Sequence, residues 1–243
     1  LLSVCTAATV SPSVARYLGE LALASSLQVL SIATIVLMGL ALPQGSLAER
    51  RLTQVLGPEH DDRRVEPGRR DCFGWTAAAV ATLLAVALSI LSYERHPHVP
   101  DEVAYLHQAR YIAAGMLTMP APPAAAAFDV DLMSYEPTRW FSPLSPGWPA
   151  LLAVGVLADL PWLVNPVLTG LNILLTYMLL GHLYPRRLAR TATALLAVSP
   201  WFLFLGMSFM THMFTLTCGL VAVLAVVHAR RAGSLAWSVL AGA

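Results

Sequence analysis

The chain has 243 residues, 57% of them hydrophobic and 12% charged, with 15 basic against 14 acidic side chains; this composition lies outside that of ordinary soluble domains and reads as a membrane protein. A net charge of +1, with no basic stripe interleaved with aromatics, gives no electrostatic basis for binding nucleic acid, and that class is set aside. The three cysteines, Cys5, Cys72 and Cys218, are scattered and odd in number, which suggests neither a disulfide framework nor a zinc knuckle.

A spanning helix needs about 20 apolar residues, because the hydrocarbon core is about 30 Å thick and each residue rises about 1.5 Å. Residues 1–10 read as the tail of an earlier span or an interfacial piece; they lack the basic leader and Met of a signal peptide. The first full span is 21–43. Residues 44–72 carry Arg50, Arg51, Arg63, Arg64, Arg69 and Arg70 among Pro, Gly and acids, the pattern of a linker with little core of its own. Residues 1–72 are therefore one region and 73–243 another. The second region opens with a span at 73–93, followed by a polar loop over 94–146. Further spans are expected at 164–184, at 191–210 and, shorter, at 213–229. The chain begins with Leu-Leu and stops in the opening of another apolar segment, so the expectation is an N-terminal fragment of a longer protein.

Short arginine-rich loops stay in the cytoplasm. That rule places 44–72, the loop with Arg186, Arg187 and Arg190, and Arg230-Arg231 inside, and it places 94–146 outside. An outside loop at 146 and an inside loop at 186 need an odd number of crossings, and 164–184 supplies one. The apolar stretch 147–160 is then a juxtamembrane or re-entrant helix.

The outside loop opens with His96-Pro97-His98-Val99-Pro100-Asp101-Glu102. Pro100 suits the first position of a helix, and carboxylates in the first turn interact favourably with the helix dipole. The spacing predicts an amphipathic helix lying on the membrane surface and running to about Leu117. Its apolar stripe is Val103, Leu106, Ala109, Ala113, Met116 and Leu117, and its polar face holds Asp101, Tyr105 and Gln108. The plain reading of Asp101 and Glu102 is a helix start; the sharper one is that a carboxylate here is a general base. The histidines beside the acidic pair suit a divalent metal by ligand type, but their spacing is no recognised ligand pattern, and no metal ligands are assigned. Asp129 and Asp131 read as solvated loop acids; Asn165 and Tyr177 are candidates to line a groove, against the plainer readings as helix-start and core residues.

The runs PDEVAYLHQARYIAAGMLTMPAPP, WFSPLSPGWPALLAVG and NPVLTGLNILLTYMLLGHLYPRRLARTATALLAVSP resemble the N-terminal part of lipid-linked-sugar glycosyltransferases with the C-type membrane fold. The nearest group is the dolichyl-phosphate-mannose protein mannosyltransferase family, with bacterial relatives such as the aminoarabinose transferases of lipid A. The resemblance covers about residues 73–228. It implies an all-α polytopic bundle in the bacterial inner membrane, with juxtamembrane helices in a loop facing the extracytoplasmic side. It also implies transfer of a sugar, with inversion, from a polyprenyl or dolichyl phosphate to a hydroxyl on a protein, lipid or glycan. Asp101 is then the first choice for the base and Glu102 the second. Arg110 and Arg139 are candidates to neutralise the departing phosphate, and Trp140 is a candidate sugar or interface ring. Tyr105 and Gln108 share the helix face of the base. Many relatives carry a second acid at the outer end of a later span, in a context resembling SFMTHMFTL, where this chain has His212. A competing expectation is a non-enzymatic transporter, with polar groups spread through broken spans near the midplane, or an assembly protein.

Overall fold

The computed structural model describes residues 47–57, 71–124, 127 and 130–242, together with scattered helical positions between 15 and 33. The span expected at 21–43 falls largely outside the described residues, as does Asp129. Two compact units are present, residues 1–55 and 56–243. The first contributes most of helix α1 (Leu47–Leu56); all that follows concerns the second.

Among the described residues, three helices are long and apolar enough to cross a membrane, or four if a bent pair counts as one. Helix α2 (Cys72–Leu91) starts on Asp71, whose carboxylate accepts from Phe73 N at 3.1 Å. Its buried face is Gly74, Ala78, Ala81, Ala85 and Ser89. Small residues at three- and four-residue spacing let another helix approach closely, and α5 (Val164–Leu183) packs along this face. A Cβ added to Gly170 of α5 would collide with Thr82 Oγ1.

Helix α3 (Pro100–Ala113) has Pro100 in its first turn with Asp101 and Glu102, as the sequence predicts. It ends four residues before Leu117, because Gly115 adopts φ +77 and Gly115 N and Met116 N turn back to Ile112 O and Tyr111 O. The predicted two-sided surface helix is also corrected. Glu102, Ala104, Leu106, Gln108, Ala109 and Tyr111 are all buried, since α3 packs against α4 (Gly147–Leu157) and shares a core with Trp148, Leu152, Phe209 and Met213. Met116 and Leu117, placed in the apolar stripe by periodicity, are exposed beyond the helix end.

Between α3 and α4 lies a small antiparallel sheet that the all-α expectation omits. Its central strand β3 (Arg139–Phe141) pairs with β1 (Met119–Pro120) and β2 (Ser134–Tyr135). Tyr111, Met133 and Trp140 form its own small core. Helix α4, at 11 residues, is too short to span, as expected for 147–160. It leads through a 3₁₀ turn (Pro161–Leu163) into α5.

The span expected at 191–210 is broken. Helices α6 (Arg186–Ala197) and α7 (Pro200–Met207) meet at 55°. Pro200 lacks the N–H that would continue the ladder, and it forces Ser199 to extended backbone, ψ 121. Helix α8 (His212–Ala232) is longer than the predicted 213–229 and stops where Gly233 takes φ +60. Helix α9 (Leu235–Gly242) packs back on it.

Candidate functional site

The side chain that organises one end of the bundle is Glu102, fully buried. Tyr93 Oη donates to its carboxylate, 2.8 and 2.9 Å from the two oxygens. His98 N donates at 2.9 Å and Phe209 N at 3.0 Å. The two backbone N–H groups, one on each oxygen, and the Tyr93 hydroxyl between them occupy both carboxylate oxygens. Burial, then the hydrogen bond to Glu102 and its charge, push the Tyr93 hydroxyl well above its ordinary pKa. His98 Nε2 lies 3.0 Å from Tyr93 O, which fixes that nitrogen as the protonated one. These contacts fold the 93–102 turn onto itself and tie it to the turn between α7 and α8.

That second turn, Ser208–Thr211, is gripped from other directions as well. Trp148 Nε1 donates to Phe209 O at 2.9 Å. Asn165 Nδ2 donates to Ser208 O at 2.6 Å and to Met210 O at 2.8 Å. Two helical turns later, Asn172 Nδ2 donates to Met213 O at 2.9 Å, and Thr217 Oγ1 donates to Asn172 Oδ1 at 2.8 Å. The break between α7 and α8 therefore has its freed carbonyls satisfied by side chains, as buried irregular backbone requires.

Around this node the sequence-predicted residues take distinct places. Asp101, next to Glu102, is half-buried, and among the described residues no hydrogen bond or ion pair occupies its carboxylate. Tyr105, one turn on, is also half-buried; burial and then the charge of Asp101 raise its hydroxyl pKa. His212 is exposed at the start of α8, three residues after the Phe209 amide that Glu102 holds. The segments carrying Asp101 and His212 are thus bound together at one point. Gln108 is buried rather than on a polar face, with Nε2 donating to Leu144 O at 3.2 Å. Arg110 is exposed in the last turn of α3, about 14 Å along the axis from Asp101. Arg139 is turned to Glu136, 2.6 Å away on an exposed hairpin. Trp140 is buried between Tyr135, stacked at 5.5 Å, and His107, tilted at 5.2 Å, so its ring serves the core of the sheet. Burial, then Arg110, lower the His107 pKa. Among the described residues, no three His, Cys, Asp or Glu side chains gather as metal ligands.

Sequence reasoning misses Tyr93, Trp148 and the Asn165 clamp, whose partners are backbone atoms of a turn; no spacing signals them. It also misses the other end of α2. There Asp71 receives Arg190 Nη2 at 2.6 Å, Arg186 Nε at 3.0 Å and the Tyr177 hydroxyl. Arg190 also lies over the Phe73 ring, 5.1 Å from its centroid. Arg231, at the end of α8, meets His182 Nδ1 at 2.9 Å. Arg186, Arg190 and Arg231 therefore gather at the bundle end opposite Asp101. Comparisons with protein-family models, curated proteins and solved structures find no match for this chain.

Proposed function

We propose that the protein is a membrane glycosyltransferase that takes a sugar from a polyprenyl or dolichyl phosphate, with Asp101 as the general base. One observation carries this reading. Of the two adjacent carboxylates, Glu102 is occupied by three internal groups, which leaves Asp101 with an open carboxylate in the first turn of α3, at the end of the spans. In the reaction, the acceptor hydroxyl oxygen attacks the anomeric carbon from the face opposite the phosphate. The carbon–oxygen bond to the phosphate breaks, its electron pair leaves on the lipid phosphate, and the hydroxyl proton passes to Asp101. His212, exposed beside the node, would donate a hydrogen bond to the leaving phosphate, and Arg110, which has no carboxylate partner among the described residues, would add positive charge. The arginine-rich end faces the cytoplasm by the charge rule, so this chemistry proceeds on the extracytoplasmic side of the membrane.

The test is transfer from a radiolabelled polyprenyl-phosphate sugar in membranes containing the full-length protein. Asp101→Asn is expected to abolish transfer while inserting normally; turnover like that of the parent protein would sink the assignment. The α6–α7 break favours a transporter reading, but residues 198–200 at it hold no ionisable side chain, and coupled transport draws on such groups.

A further inference from the structure

An apolar cleft of about 290 Å³ opens between α4 and the start of α5, lined by residues that include Leu151, Val154, Leu160, Leu163 and Val167. This is close to the lower limit of ligand pockets, about 300 Å³. Val154, Leu160 and Val167 are exposed, so the cleft is open sideways, toward hydrocarbon in a chain whose long helices cross the bilayer. From the 3₁₀ turn at the bundle end it reaches along Val164 to Leu168, about 6 Å into the span.

Two opposite charges flank this turn. The Arg95 guanidinium rests on the Trp162 ring, 5.9 Å from its centroid, and it has no carboxylate partner among the described residues. Trp162 lies between the lining residues Leu160 and Leu163, at the level where tryptophans anchor to the membrane interface. Asp159 sits between Ala158 and Leu160, which both line the cleft. It takes φ +56 just beyond α4, a left-handed position that Asp, like Asn, tolerates, but it puts a negative charge at the negative end of the helix dipole, which is unfavourable. Among the described residues no cation offsets it.

We propose that this is a binding site for one phospholipid with a primary-amine headgroup, of the phosphatidylethanolamine type. The phosphate meets Arg95, the ammonium meets Asp159, and an acyl chain fills the cleft. A head of one sign only would satisfy one of the two charges, and a bulk bilayer lipid outnumbers any minor amphiphile at a laterally open groove. The inference rests on the spans, the cleft and the two charges that flank it, and stands whether or not the protein transfers sugars.

The test is thermal unfolding of the full-length protein in detergent with added synthetic lipids. Phosphatidylethanolamine at about 100-fold above Kd is expected to raise Tm by roughly 5–10 °C. Phosphatidylcholine, whose head has no N–H, and phosphatidylglycerol, which has no cation, should each give less than half of that rise. Arg95→Gln, Asp159→Asn and the cleft-filling Ala158→Phe should each remove most of it; Asp159→Asn keeps a residue suited to the left-handed turn, so it folds. Equal shifts with all three lipids, unchanged responses in the variants, or a rise with polyprenyl phosphate and none with phosphatidylethanolamine would each overturn the proposal.

Discussion

Replacing Glu102 by Gln keeps its shape but turns an amide NH₂ toward the backbone N–H of either His98 or Phe209, which sit on different carboxylate oxygens and can only donate. At least one buried N–H or O–H then loses its partner, at about 1–3 kcal/mol, and the turns at 93–102 and 208–211 loosen together. We expect Glu102→Gln to lower Tm in detergent well below that of the parent protein, and Asp101→Asn to melt like the parent. Similar melting of the two variants would mean that the carboxylates are equivalent, contrary to their burial. The first-turn acids and the helix-starting proline are legible in the sequence because dipole and capping effects are local. Which of the two acids stays open is not legible: it depends on a backbone amide 107 residues away and on α4 packing over α3. Gln108 is misread for the same reason, since periodicity reports a helix's own faces and not how many neighbours cover them.

At the scale of elements, close approach is bought with glycine. A Cβ on Gly206 of α7 would strike Thr169 Oγ1 of α5, so Gly206→Ala should cost roughly 1–3 kcal/mol by overpacking. Thr169→Ala in the same chain should restore part of the loss, measured as Tm across the double-mutant cycle. At the other end, Asp71 holds α2 to α5 and α6. Burial acts to raise its pKa, but hydrogen bonds from Tyr177, Arg190, Phe73 N and Arg186 outweigh burial and keep the carboxyl well below the usual range. A depressed folded pKa gives stability that is complete above the unfolded value, about 3.9, and that is lost as pH falls through the folded one. Asp71→Asn should therefore be less stable than the parent at neutral pH, with the gap closing below about pH 4; an acid-unfolding titration that keeps the gap constant would falsify the lock. Helices α2, α5 and α8 are readable from hydropathy because lipid demands a long apolar run. The α6–α7 break is written in Ser199-Pro200, but hydropathy averages across it. The small sheet, two or three residues per strand, is too short for any periodic signal.

For the whole molecule, the bonds at both ends fix the direction of each span. Helix α2 runs from Asp71 to Tyr93, α5 from Asn165 to His182, and α8 from His212 to Arg231, so α2 is antiparallel to α5 and parallel to the returning α6–α7 pair. The alternation that loop charges imply is thus matched by contacts between ends. In a background with Cys5, Cys72 and Cys218 changed to Ser, Leu117→Cys should react with a membrane-impermeant thiol reagent on intact cells. Leu188→Cys should react only after permeabilisation. Labelling of both from one side would overturn the arrangement of ends.

The Glu102–Phe209 bond also has a consequence for biogenesis. At a synthesis rate of about 5–20 residues per second, the 107 residues separating the two partners take roughly 5–20 s to emerge from the ribosome. During that interval the carboxylate can be satisfied only by Tyr93, the His98 amide and water, so the 93–102 turn has to wait, hydrated, at the bilayer edge. The end of the bundle that carries Asp101 is sealed only when the chain entering α8 is inserted and brings its amide to Glu102.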